Sequence, residues 1–386
     1  MPKSVILATK KSEFFITIAK KGIHSFVMLG IMVDGKPEIL AKVGKGNVID
    51  KDFGTSCSDK FTLFGKIVGS HSDASLMDEG RDTSDSDISY QAYSITYEHY
   101  LEFLAITRDI HQDQLEYYKK RKVPNVPVKK LTYPERGVFN LREGIKCYIP
   151  EEEPSEQITL RYQKIDTFDK ASTFNNERIR QGIVDGAREI STSNTCRTTA
   201  CDILNYTLQY SPNVPSLFVT GLDYKIKLIK GQLPQNGFYI LPPPPNCFKV
   251  NPTQMEVLNE LYKKIEDLPK NHPNLDATRK KFNELKRLYQ EIAGEPQLSL
   301  NQLLKKITDH RAANNSLFNV RRSQSIFSGL VEALGFKTGT QQAYDRMTKV
   351  VIEEIKRGKE GQVIIDRRED TSQLGDSLLL QKIPSM

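Results

Sequence analysis

Cys196 is the residue of this chain best placed to do chemistry, because its neighbours predict that it opens a helix. Residues 191–210, STSNTCRTTACDILNYTLQY, begin with capping residues. They continue with Ala200, Ile203, Leu204, Thr207 and Leu208 at the spacing of a helix with one buried face, whose first turn begins near Asn194. A thiol in a first turn sits at unpaired backbone N–H groups and at the positive end of the helix dipole, and both favour the thiolate. The thiolate is the form that attacks a carbonyl carbon, so acyl transfer or hydrolysis is the chemistry such a residue would serve. Cys201, five residues on, is rotated roughly 140° around the same helix and forms an internal control. The plain alternative for Cys196 is a small apolar filler, since free cysteine is among the most buried residue types.

A thiol nucleophile needs a proton acceptor that later returns the proton, and histidine is the usual one. Of the six histidines, His24 alone opens an apolar strand, KGIHSFVMLGI. It reads either as a hydrogen-bonded sheet histidine or as the base for Cys196. With Asp34-Gly35 as a two-residue turn, position 24 pairs with Lys45, which cannot orient an imidazole as an acceptor would. Asn47, diagonal to it, is then the candidate third catalytic residue. An oxyanion site is expected from the backbone N–H of Cys196 together with the side chain of Asn194, although Asn194 is equally explained as a helix cap.

The elements that must position these residues are legible in outline. Short apolar runs at 5–8, 14–19, 24–33 and 38–43 predict an antiparallel meander, with Asp34-Gly35 as a hairpin turn. Residues 44–89 turn serine- and aspartate-rich and are expected to form a mobile polar loop. Apolar positions from Tyr97 to Leu115 predict a surface helix over 96–121 with Thr96 as its cap, carrying His99 and His111; short strands follow at 145–149 and 158–162. Four prolines at 242–245 end the first domain, expected to span 1–245. Beyond them, helical periodicity at 255–265, 276–292, 300–314, 323–334 and 341–357 predicts an all-α bundle over 253–358, and 359–386 reads as a loosely ordered tail. The fold class expected is therefore α+β, an N-terminal antiparallel sheet packed by helices followed by an all-α C-terminal bundle.

Composition excludes several functions. A net charge of +7 over 386 residues is thinly spread, and the short basic runs at 119–122 and 321–322 are no nucleic-acid face, so no nucleic-acid partner is expected. No apolar run reaches membrane-spanning length, so no integral membrane segment is expected, and two lysines interrupt MPKSVILATKKSEFF before a Sec-type leader could form. Five scattered cysteines without a CxxC pair argue against a disulfide framework and a structural zinc site. No phosphate-binding glycine loop stands between strand and helix, since GFKTG at 335–339 lies between helices; neither cofactor nor metal is expected.

A strand histidine in Gly22-Ile23-His24-Ser25-Phe26, followed much later by Asn194-Thr195-Cys196-Arg197 opening a helix, resembles the circularly permuted papain-like superfamily, whose members include papain-fold peptidases and lecithin retinol acyltransferase-like proteins. Residues 15–245, with HSFVMLGI, ISYQAYSITYEHYLEFL, NTCRTTACDILNYT and FYILPPPP, look like secreted effectors of intracellular bacterial pathogens that leave through a type IV apparatus. The resemblance implies a Cys196 nucleophile, a His24 base and a thioester intermediate. It further implies a host protein or conjugate as substrate, and a location in the bacterial cytoplasm before export and in the host cytosol afterwards. The chain departs from the superfamily in the long separation of His24 from Cys196, which makes the 44–89 segment and the 96–121 helix insertions. The alternative from another class is a non-enzymatic effector whose helical C-terminal domain binds a host protein or a membrane surface. Helices such as LDATRKKFNELKRLYQEI suit a partner groove or a bundle core equally well.

Overall fold

A computed structural model describes residues 5–47, 72–83, 87–151, 155–174, 176–191, 193–212, 223–224, 226–228, 238–270, 272–320 and 337–358. The fold is mixed α+β, and the chain divides into two compact units, Met1–Pro243 and Pro244–Met386, inside the proline run.

The strands of the first unit are β1 (Val5–Thr9), β2 (Phe14–Lys21), β3 (His24–Val33), β4 (Lys36–Asn47), β5 (Ser72–Asp78), β6 (Ile88–Ile95), β7 (Lys146–Pro150), β8 (Gln157–Lys164), β9 (Glu189–Ile190), β10 (Ile226–Leu228) and β11 (Ile240–Leu241). Its helices are α1 (Tyr97–Tyr117), α2 (Tyr133–Glu143), α3 (Glu177–Gly186) and α4 (Cys196–Leu208). The main sheet runs β10-β6-β2-β3-β4-β5-β9, antiparallel throughout, with β11 added parallel to β6. A smaller antiparallel sheet runs β1-β8-β7. Strands β2 and β3, FFITIAKK and HSFVMLGIMV, are buried almost from end to end, which is why they read as continuous apolar runs rather than alternating ones. Phe14, Phe15, Ile16, Val27 and Leu29 are fully enclosed, each such side chain contributing about 1.5–3 kcal/mol relative to exposure. Helix α4 packs across β2, β3 and β4, the centre of the sheet.

The β3–β4 hairpin forms as its turn chemistry dictates: Asp34 and Gly35 take φ of 51° and 74°, the left-handed values a two-residue primed turn requires. From the turn, Val33 pairs with Lys36 and Gly30 with Ile39, as a simple hairpin demands. A bulge between Leu29 and Gly30 then moves the register by one, so that Leu29 faces Ala41 and Phe26 faces Gly44.

Two expectations are corrected. Residues 44–89 are not a single loop: 44–47 belong to β4, and Ser72–Asp78 is a strand between β4 and β9 with Ala74, Ser75 and Leu76 buried. Its apolar side chains alternate at 74 and 76, and pairing on both sides overrides the poor strand propensity of serine and aspartate. Nor is α1 a surface helix. Thr96 caps it as expected, accepting from the N–H of His99, but His111 is 1% exposed and Phe103, Leu104, Ala105 and Ile106 are buried in succession.

In the second unit, the regular elements among the described residues are helical: α5 (Pro252–Asp267), α6 (Asp276–Ala293), α7 (Leu300–Ala313), α8 (Asn315–Asn319) and α9 at 339–358. Helix α6 contacts α5, α7 and α8. Asn251 caps α5, and a Ser299–Gln302 capping box opens α7. The helix expected at 323–334 and the tail at 359–386 lie outside the described residues. No helix among the described residues is long and apolar enough to cross a membrane.

Candidate active site

The N-terminus of α4 is built by Thr195. Its Oγ1 accepts from the N–H groups of Arg197 and Thr198 at 3.2 and 3.3 Å, and Thr198 Oγ1 accepts in return from the N–H of Thr195 at 2.7 Å. This reciprocal capping box starts the helix at Cys196, one residue later than a cap at Asn194 would have placed it. Cys196 therefore occupies the first helical position, half-buried, where its own N–H has no partner in the helix.

The structure brings Cys196 to the first residues of β3. Its Sγ accepts from the backbone N–H of Ser25 at 3.4 Å and stands 4.0 Å from the carbonyl oxygen of Ile23. The His24 imidazole stands near enough to the thiol that each shifts the titration of the other. Nε2 of His24 lies 2.8 Å from Oε1 of Glu79. Side chains of His24 and Glu79 are 32% and 26% exposed, so the pair is held in place yet reached by solvent.

Burial opposes charge on every member of this chain, and the contacts outweigh it. The His24 imidazole, pulled down by desolvation, is lifted by hydrogen bonds to Cys196 and Glu79 and by their charges to about 9. Burial pushes the Cys196 thiol up, but the bond to His24, the Ser25 N–H, the imidazolium charge and the Arg197 N–H together hold it below its ordinary value. Glu79 is likewise held low against burial by His24, Lys42 and Lys21. The other described cysteines go the opposite way. Desolvation raises Cys201 to about 12 and Cys247 to about 11, and raises the fully buried Cys147 further still.

The carboxylate on the histidine ring is that of Glu79. Asn47 lies at the end of β4, opposite Ala74 of β5. The Glu79 backbone N–H donates to the Lys42 carbonyl at 2.9 Å, which brings the carboxylate alongside β4 at Gly44. Gly44 leaves the room: a Cβ there would stand 2.5 Å from Glu79 Oε1 and 2.7 Å from His24 Nε2. The only sequence signal for Glu79 was the 74/76 alternation that makes β5 a strand.

Asn194 is corrected as well. Its Nδ2 donates to the Gly186 carbonyl at 2.7 Å and its Oδ1 accepts from Lys45 Nζ at 2.7 Å, so the amide is bound to the protein rather than offered to an oxyanion. The backbone N–H of Cys196 is the donor that remains. Lys45, Ser25 and Arg197 were not foreseen. Arg197 is 3% exposed, donates from Nε to Ser25 Oγ at 3.3 Å, and stacks its guanidinium 5.0 Å from the centre of the Tyr224 ring. No group of three or more histidine, cysteine, aspartate or glutamate side chains among the described residues is arranged to hold a metal ion. A groove of about 370 Å³ between α3 and α4, lined by Asn176, Ile183, Asp202 and Tyr206 among others, includes neither Cys196 nor His24.

No family model, no curated protein and no solved structure matches this chain.

Proposed function

We propose that the first unit is a thiol-dependent hydrolase or acyltransferase acting on an ester, thioester or amide carbonyl, with Cys196 as nucleophile, His24 as proton carrier and Glu79 as the residue that orients it. The observation that carries this reading is the chain Cys196–His24–Glu79, in which one cysteine of the four described is drawn down while the others are driven up. Structural cysteines are not treated this way.

In this reading the Cys196 thiolate attacks the carbonyl carbon, a carbon–sulfur bond forms, and the oxygen takes the displaced electron pair within reach of the Cys196 N–H. The His24 imidazolium gives its proton to the leaving oxygen, sulfur or nitrogen as that bond breaks, leaving a thioester. Water, or an acceptor amine or alcohol, then loses its proton to His24 and attacks the thioester, which restores the thiolate. Glu79 accepts from Nε2–H, which fixes the ring's tautomer, and balances its charge. The resemblance to the permuted papain-like superfamily supports the order of a strand histidine before a helix cysteine, with a glutamate added as third member.

The test is acylation by an activated ester such as p-nitrophenyl acetate. A burst of nitrophenolate equal to one per chain, with the acetyl group found on Cys196 by mass spectrometry, is expected. A Cys196→Ala protein that keeps the burst would overturn the proposal.

A further inference from the structure

Lys45 is 2% exposed, and a buried lysine is retained only where its ammonium is satisfied. Its Nζ donates to the Gly186 carbonyl at 2.9 Å, to Asn194 Oδ1 at 2.7 Å and to Thr199 Oγ1 at 3.1 Å. These three short contacts, with a longer one to the Asn194 carbonyl at 3.5 Å, match the three N–H groups of an ammonium. All three are neutral oxygens, and among the described residues no carboxylate is in contact with it. The three acceptors come from the end of α3, the turn before α4 and the first turn of α4 itself. One cation thus ties together the segment that presents Cys196.

The bulge in β3–β4 is what aims it there. Beyond Leu29 the register places residues 43 and 45 on the side of Val27 and Ser25, the side on which Ser25 meets Arg197 of α4. Without the bulge Lys45 would share the face of His24, and its charge would oppose the imidazolium.

We propose that Lys45 is a positioning residue for Cys196, whose buried charge, held by neutral oxygens, favours the thiolate while its three short hydrogen bonds fix the turn that carries it. The inference rests on the Cys196–His24 reading. The charged and titratable groups about the sulfur are His24 and, through it, Glu79 on the sheet side, Arg197 on its own helix, Tyr224, and Lys45 from β4. Around Lys45 stand Asp202 and Glu189, acting through space. Burial lowers Lys45 to about 8 and the Cys196 thiolate is the first of the charges that pull it back up, so the two groups already feel one another.

The experiment is the rate of alkylation of Cys196 by iodoacetamide as a function of pH, read by mass spectrometry against Cys247 in the same chain. Lys45→Gln removes the charge and keeps two N–H donors for Asn194 and Thr199; it should raise the pH midpoint of Cys196 alkylation by about one unit, a roughly tenfold loss of rate on the acid side. Asn194→Ala keeps the charge and weakens the anchor; it should lower the melting temperature and leave the midpoint within a few tenths of a unit. An unshifted midpoint in a folded Lys45→Gln protein overturns the inference, as does an equal shift in Asn194→Ala. Should Lys45→Gln not fold, Lys45→Met is read by the same criterion, and a full-unit shift in Asn194→Ala still overturns the inference by assigning the effect to anchoring alone. In the unaltered protein, a Cys196 that reacts no faster than Cys247 defeats the Cys196–His24 reading itself, whereas a fast Cys196 indifferent to Lys45→Gln defeats only the role of Lys45.

Discussion

His24 and Glu79 meet at 2.8 Å in a space that exists because residue 44 has no side chain. The carboxylate raises the imidazole's pKa, and the imidazole in turn lowers that of the thiol, so the acid on the ring acts on Cys196 from one residue further away.

Replacing that acid separates charge from shape. Glu79→Gln keeps an acceptor for Nε2 and removes the negative charge, so the imidazolium loses part of its support and its pKa falls by about 1–3 units. The alkaline limb of ester turnover, set by His24 at about 9, is expected to move toward neutral pH. A limb that stays in place in Glu79→Gln would show that the carboxylate has no hold on the ring.

Gly44→Ala tests the space directly. A methyl group 2.5 Å from Glu79 Oε1 and 2.7 Å from His24 Nε2 must part them, although β4 itself accepts an alanine. A displacement on the order of 1 Å at a catalytic pair costs about 10²-fold in rate. The expected outcome is a folded protein, judged by its melting curve, with about a hundredfold slower acylation of Cys196.

The dependence of activity on pH follows from the two partners. In the proposed reaction the active form is the ion pair of thiolate and imidazolium. The rate should rise as pH climbs through the lowered pKa of Cys196 and fall as it passes that of His24 at about 9. Stability carries the matching sign. With its pKa raised in the fold from 6.5, His24 contributes fully below about 6.5 and loses that contribution as pH rises through about 9. Thermal melts of the unaltered protein and His24→Ala should therefore converge above pH 9, and a difference that widened there would contradict the assigned pair.

Thr195→Ala removes the cap that starts α4 at Cys196. The loss is expected to cost about 1 kcal/mol of stability by denaturant titration. It should also slow Cys196 alkylation, because the first turn that orients the sulfur and its N–H frays. Unchanged alkylation in a protein destabilised to that extent would separate the cap from the site.

Local chemistry in the sequence was enough to determine β2 to β4 with their Asp34-Gly35 turn and a helix carrying Cys196 in its first turn, because each depends on residues near one another in the chain, whereas the run at 5–8 joined the smaller sheet instead. Cys196 and His24 were legible for the same reason: a thiol among capping residues and a histidine heading an apolar strand each stand out where they are. Glu79 and Lys45 were not. Glu79 follows a strand whose aspartates and serines hide its alternation, and that strand forms because partners on both sides supply the hydrogen bonds. Lys45 was assigned to the face of His24 by a hairpin register that holds only as far as Gly30. A single bulged residue reverses the side on which every later β4 side chain emerges, and no local pattern marked it. The register of two strands and the approach of remote segments are decided by packing over the whole sheet, so the partners of the cysteine and the histidine became visible only in three dimensions.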